Sequence, residues 1–334
     1  MPYFRVQVIC GTVVLALANV VPRIGNRYLV IRSRVSAVCT LLIAAAVIYE
    51  NSRTFLNLHE YPFHSFESVA FALFLFSQAW VAAEKVVDDE HRLLSIESEL
   101  AIAREIQTSI LPRDVPELSR VQIKAAYCPM TAVAGDFYWF IAIDPHRAGF
   151  FVADVAGHGV PAALIASMIK VAMQAAVTCA NDPQSVLRGV ERALSGQQRG
   201  QFVSAAYLWL DTENRKALYS AAGHPPLLRW SQGKLESIQS NELLFGVMSG
   251  CDYSACEISI AAGDRFLLYT DGLIEPENVN GESFGERKLE EVVRECQSLP
   301  AFEVSDRLLF ELRHWQPASA AQQDDITLIV IDVL

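Results

Sequence analysis

"FFVADVAGHGVPAALIASMI" (residues 150–169) decides how this 334-residue chain is read. An apolar run ends on Asp154, the chain turns through Gly157, His158 and Gly159, and a helical pattern begins with Pro161 in its first turn. A carboxylate at the mouth of a buried strand needs a reason, because a buried ion persists only where something neutralises it.

Asp154 has companions. Asp271 ends "RFLLYTD" and precedes Gly272, Asp324 and Asp325 open "ITLIVIDV", and Asp136 follows Gly135 at the start of "FYWFIAI". Taken singly, an aspartate beside a glycine at a strand end is a turn residue. If the strand ends converge, several carboxylates share one place, and their repulsion requires a cation. A donor set made only of oxygen suits Mg²⁺ or Mn²⁺ and not zinc. No Cys/His cluster stands at zinc spacing, and the seven cysteines (10, 39, 128, 179, 251, 256 and 296) read as reduced thiols packed as small apolar residues.

Around these aspartates the pattern is one of short β-rich runs: "VQIKAAY", "GDFYWFIAI", "GFFVADV", "FVSAAYLWLD", "KALYSAAG", "DRFLLYTDG" and "DITLIVIDV". Helical patterns intervene at "PAALIASMIKVAMQAAV", "DPQSVLRGVERAL", "SFGERKLEEVVRECQ" and "AFEVSDRLLFELRHW". Strands in hairpin-like groups with helices in a few blocks predict an antiparallel α+β sandwich.

"QTSILP" (107–112), "AGDFYWF" (134–140), "ADVAGHGVPAAL" (153–164), "YSAAGHPPLL" (219–228), "LLYTDGLIEPEN" (267–278) and "DDITLIVI" (324–331) occur in one order. Together they resemble the PPM metal-dependent serine/threonine phosphatases in their bacterial SpoIIE/RsbU-like branch, over about residues 104–334. The resemblance implies an α-β-β-α sandwich whose cleft holds two metal ions, Mn²⁺ or Mg²⁺. On it, Asp154 bridges both ions and the Val155 carbonyl binds one of them. Asp271 and Asp324 ligate the other, Asp136 contributes on the Val155 side, and Asp325 supports. Asp154, Asp271 and Asp324 are then the catalytic carboxylates, and a water shared by two cations becomes acidic enough to attack phosphorus in line.

This sequence departs from the family pattern in two places. The frequent Gly-Gly-Asp is Ala134-Gly135-Asp136, and the acid often found three residues later is Trp139. His158 lies four residues after Asp154, not two as in the Asp-Gly-His motif of the family's eukaryotic members, so the resemblance lends it no general-acid role and it is read as loop-structuring, and His224 of "AGHPP" is read as structural. The "GHG" turn is not followed by the Gly-Lys-Ser/Thr of a phosphate-cradling P-loop.

The hydrophobic content of 52% is concentrated at the N-terminus, in "VQVICGTVVLALANVV" (6–21), "VSAVCTLLIAAAVIY" (35–49) and "FESVAFALFLFSQAWVAA" (66–83). Each is slightly short of the roughly 20 residues of a membrane span. Arg23, Arg27, Arg32 and Arg34 fill the first connection and Arg53 alone the second, which places the first connection and everything after residue 83 in the cytoplasm. A signal peptide cleaved near residues 16–18, or three buried soluble helices, are the rival readings.

Residues 1–83 carry six arginines and three glutamates, net +3, while the remaining 21 basic and 35 acidic residues net −14. So acidic a domain excludes a nucleic-acid-binding face. Between the two parts, residues 84–111 lack glycine and proline, and Leu93, Ile96, Leu100, Ala103, Gln107 and Ile110 alternate at three and four like a coiled-coil seam. A second stripe, Ile102, Ile106 and Ile110, offers itself to the following domain.

The expected organisation is a membrane region of three transmembrane helices over 1–83, a dimerising linker over 84–119 and a phosphatase domain over 120–334. Such a protein sits in the bacterial inner membrane and dephosphorylates a partner protein, by resemblance a small STAS-type anti-anti-sigma factor. A catalytically silent signalling scaffold and a hydrolase of small phosphate esters are the alternatives.

Overall fold

The structure, a computed structural model, describes residues 66–334 except 198–199, 240–241, 249 and 318–319, and before them only positions 38 and 45. Two compact units divide the chain, Met1–Ser98 and Glu99–Leu334. The first two apolar stretches lie outside the described residues apart from Val38 and Ala45. The third begins helix α1 (Phe66–Ile110), where Val69, Leu73, Leu75, Phe76 and Trp80 are exposed.

The second unit is a sandwich of two five-stranded antiparallel sheets, the α+β architecture that the alternating runs predict. One sheet has the order β1 (Val121–Cys128), β10 (Ile326–Val333), β9 (Arg265–Tyr269), β6 (Leu227–Ser231), β7 (Lys234–Ile238). The other has the order β2 (Phe137–Asp144), β3 (Arg147–Val155), β4 (Val203–Asp211), β5 (Lys216–Ala222), β8 (Cys256–Ser259). Helices α2 (Val160–Ala175) and α3 (Pro183–Leu194) pack on the second sheet, and α5 (Ala301–Trp315), joined by α4 (Gly285–Glu295), packs on the first.

Strand β10 shows why the layers stack. All eight of its residues are buried, and its period of two sends Ile329 and Ile331 into the core shared with the second sheet while Leu328 and Val330 meet α4 and α5. Burying one such aliphatic side chain stabilises by about 1.5–3 kcal/mol.

Local chemistry fixes the ends of the elements. Asp182 caps α3 by accepting from the Ser185 amide at 3.3 Å, with Pro183 in the first turn. Gln232 and Gly233 both take positive φ, which makes the tight two-residue turn of the β6–β7 hairpin. Among the described residues one helical run, Val160–Cys179, is long and apolar enough to cross a membrane. Its Ala162, Ile165, Ala166, Ile169 and Met173 are buried, as α2 lies along β2 and β3.

The end of α1 corrects the expected packing. Ile102 and Ile106, the stripe offered to the domain, are exposed. Gln107 and Leu111 are the buried positions, with Leu100, Ala103 and Ile110 half-buried, so the later half of the seam, from Leu100, is the face that docks within the second unit, while Leu93 and Ile96 are exposed.

Candidate metal centre

The strand ends that carry the aspartates lie near enough for their charges to act on one another. Asp154 is the penultimate residue of β3, half-buried between Ala153 and Val155, which are fully buried. Asp271 opens a short 3-10 turn directly after β9, and Asp324 and Asp325 immediately precede β10, the neighbour of β9. Asp136 stands just before β2, the neighbour of β3.

Asp136 is almost fully buried, and two hydroxyls hold one of its oxygens: Thr270 Oγ1 donates to Oδ2 at 2.7 Å and Thr327 Oγ1 at 2.6 Å. Thr270 in turn accepts from the Thr327 amide at 2.9 Å. The two strands that carry Asp271 and Asp324 therefore also fix Asp136.

Asp325 does the same for the loop before it. Its Oδ1 accepts from the Met130 amide at 2.6 Å and its Oδ2 from the Gly135 amide at 2.7 Å, which engages both oxygens and gives its supporting role a concrete form. Gln107 completes the grip on this loop: Nε2 donates to the Ala134 carbonyl at 2.7 Å, and Oε1 accepts from the Ala134 amide at 2.9 Å.

Two glycines permit the close approach. A Cβ on Gly135 would stand 2.7 Å from the Val155 carbonyl oxygen, so the loop can lie against that carbonyl only without a side chain. A Cβ on Gly272 would collide with the Asp325 carbonyl, which accounts for the Asp-Gly pair after β9.

The carboxylates load one another. Burial, then the charges of Asp271, Asp324, Asp325 and Glu275, push Asp154 up to about 8. Burial, Glu275 and Asp324 push Asp271 up to about 6. Asp136 is raised well above the usual carboxylate range by burial and then by Asp154, against the two threonine hydrogen bonds. Among the described residues no three Asp, Glu, His or Cys side chains are already drawn together to metal-binding distance. The donors are all oxygen, with the Val155 carbonyl beside them, which is the chemistry a hard divalent cation takes.

The sequence reading missed three contributors. Glu275, exposed and four residues after Asp271, is the strongest charge acting on it, and its amide donates to the Asp271 carbonyl at 2.9 Å. Thr270 and Thr327 read as ordinary strand formers, yet both are fully buried, and a buried hydroxyl needs a partner. His158 is exposed on its loop. His224 is buried, with Nδ1 2.9 Å from Ser204 Oγ, and burial pushes its imidazole down to about 3. Trp139, at the position where the family often has an acid, is half-buried and carries the Lys170 ammonium over its ring, 2.8 Å from the centroid.

Known proteins resemble this chain in sequence and fold. Phosphoserine phosphatase RsbP of Bacillus subtilis (strain 168) is 28% identical over 247 residues, 72% of this chain but only 59% of RsbP. Phosphoserine phosphatase RsbU of the same organism is 28% identical over 284 residues, covering 82% of this chain and 81% of RsbU. Among solved structures, the SiaA-PP2C domain of Pseudomonas aeruginosa superposes with a TM-score of 0.64 at 26% identity, over 72% of this chain and 98% of that one. RsbX, solved in complex with magnesium, shares the fold with a TM-score of 0.50 at 18% identity, over 66% of this chain and 99% of that one. Homologues of this chain are thus serine phosphatases with a PP2C-type sandwich. Residues 144–334, more than half the chain, match the family model described as Stage II sporulation protein E (SpoIIE), and the chain belongs to that family.

Proposed function

We propose that this chain is a metal-dependent phosphatase that hydrolyses phosphoserine or phosphothreonine on a partner protein of a bacterial signalling pathway. The observation that carries this reading is the gathering of buried and half-buried aspartates at neighbouring strand ends, Asp136 and Asp154 beside Asp271 and Asp324, whose mutual repulsion a bound cation would relieve without protonating them. Asp154 would hold both of two ions, with Asp136 and the Val155 carbonyl on one side and Asp271 and Asp324 on the other. Two Mn²⁺ or Mg²⁺ ions, when bound, would neutralise these groups and acidify a water. The chain's own part is to fix the donors: Thr270 and Thr327 aim Asp136, Asp325 and Gln107 hold the loop that precedes it, and Gly272 lets Asp271 reach the start of β10.

The likeness to the phosphoserine phosphatases RsbP and RsbU supports the reaction, and we propose a partner protein, a small STAS-type anti-anti-sigma factor, as its substrate. The arginine asymmetry of residues 1–83 supports three membrane spans with the phosphatase unit in the cytoplasm. Exposed Val86, Leu93 and Ile96 on α1 support a homodimer through that helix.

The test is turnover by the full-length chain with Mn²⁺, with and without chelator, on a phosphoserine peptide and on a small aryl phosphate. Metal-dependent release from the peptide, abolished in Asp271→Asn, is the expected result. No turnover on either substrate, with metal bound, points to a silent scaffold, and turnover confined to the aryl phosphate points to a small-ester hydrolase.

A further inference from the structure

Ser204 lies in β4 directly opposite Asp154 in the β3–β4 register. Residues paired in this way project from the same face of an antiparallel sheet, with Cβ atoms about 5 Å apart. Both are half-buried, whereas Ala153, Val155, Val203 and Ala205 beside them are fully buried. Asp154 and Ser204 therefore open onto the same space.

The orientation of the Ser204 hydroxyl follows from its partner. Nδ1 of His224 is 2.9 Å from Ser204 Oγ, and the ring is 7% exposed. That contact with a buried ring holds Oγ in place, and the rest of its hydrogen-bonding capacity is available on the Asp154 side.

A water beside a cation needs hydrogen-bond partners, and an uncharged partner adds no repulsion to a crowded group of carboxylates. We infer that Ser204 is a positioning residue of the metal centre, held in place by His224 as an uncharged hydrogen-bond partner for a water beside Asp154. The inference rests on the metal reading proposed above.

The experiment is Mn²⁺ binding to the full-length chain by titration calorimetry, with the electron paramagnetic resonance spectrum of the bound ion and a thermal melt for each variant. Ser204→Ala is expected to weaken Mn²⁺ binding about 10-fold and to alter the spectrum, as loss of an outer-shell partner does, without lowering Tm. Ser204→Thr, which keeps the hydroxyl, restores both. His224→Phe weakens binding to the same extent, and the double variant Ser204→Ala/His224→Phe loses nothing further, because the two side chains act as one unit. Wild-type affinity and spectrum in Ser204→Ala would overturn the inference while leaving the metal reading intact, and the Ala/Thr pair decides this even if His224→Phe does not fold. Absence of Mn²⁺ binding by the wild-type chain would overturn the metal reading and this inference with it.

Discussion

Gln107 holds the Ala134 peptide through both of its polar atoms, donating to the carbonyl at 2.7 Å and accepting from the amide at 2.9 Å. The site is buried, so Gln107→Leu would strand an N–H and a C=O, each at a cost of about 1–3 kcal/mol. The expected outcome is a lower Tm for the unit from Glu99 onward and weaker Mn²⁺ binding, because the Ala134 loop leads into Asp136. Tighter self-association in sedimentation, with Tm unchanged, would return Gln107 to a helix-pairing seam.

Asp271→Asn removes a proposed metal donor and a repelling charge together. Turnover is expected to fall to background, while the chelated protein at pH 8 melts at or above the wild-type temperature, since burial and neighbouring acids raise Asp271 to about 6. His158→Ala, on an exposed loop position, should lower activity far less than Asp154→Ala. Equal losses, with both variants folded, would make His158 a participant in the chemistry.

Stability of the metal-free chain should fall as pH rises. Asp154 at about 8 and Asp271 at about 6 bind protons more tightly folded than unfolded. Their contribution is therefore fully present below an ordinary aspartate's range and is lost progressively up to about pH 8. Mn²⁺ should reverse the trend, stabilising most at the alkaline end, where the ligands are already ionised. Thermal melts from pH 5 to 8.5 with chelator and with Mn²⁺ check both slopes, and parallel curves would show that the cluster takes no metal.

The arginines of the first connection make a topological prediction. A reporter fused after Arg34 should read cytoplasmic and one after Leu58 periplasmic. A periplasmic signal after Arg34 would favour the cleaved signal peptide and turn the phosphatase unit outward.

Much of the fold was legible because alternation of period two and paired turn residues are local signals. Asp136, Asp154, Asp271 and Asp324 stood out because each breaks an apolar run at its end. What stayed hidden depends on partners distant in sequence. The spacing of Leu100, Ala103 and Gln107 is the same whether the helix meets a twin or its own domain, and only the burial of Gln107 decides it. Strand β8 is four residues long with three of them exposed, so it carries no alternation to read. Glu275 acts on Asp271 across one turn that any acidic surface loop could share, whereas Thr270 and Thr327 left a usable trace as hydroxyls inside otherwise apolar strands.

The pairing of β1 with β10 carries a consequence for biosynthesis. Val121 lies opposite Val333, so the first strand of the sandwich waits for a partner made some two hundred residues later. Such high contact order slows folding, because loop closure must precede the contacts that reward it. Asp136 and Asp154 leave the ribosome early, and Asp324 and Asp325 only at the threshold of the final strand. Until β10 inserts between β1 and β9, Asp136 lacks Thr327 and the Ala134 loop lacks Asp325. A nascent or truncated chain therefore lacks the contacts that fix Asp136 and its loop, and the aspartates come together only once translation has delivered the whole sandwich.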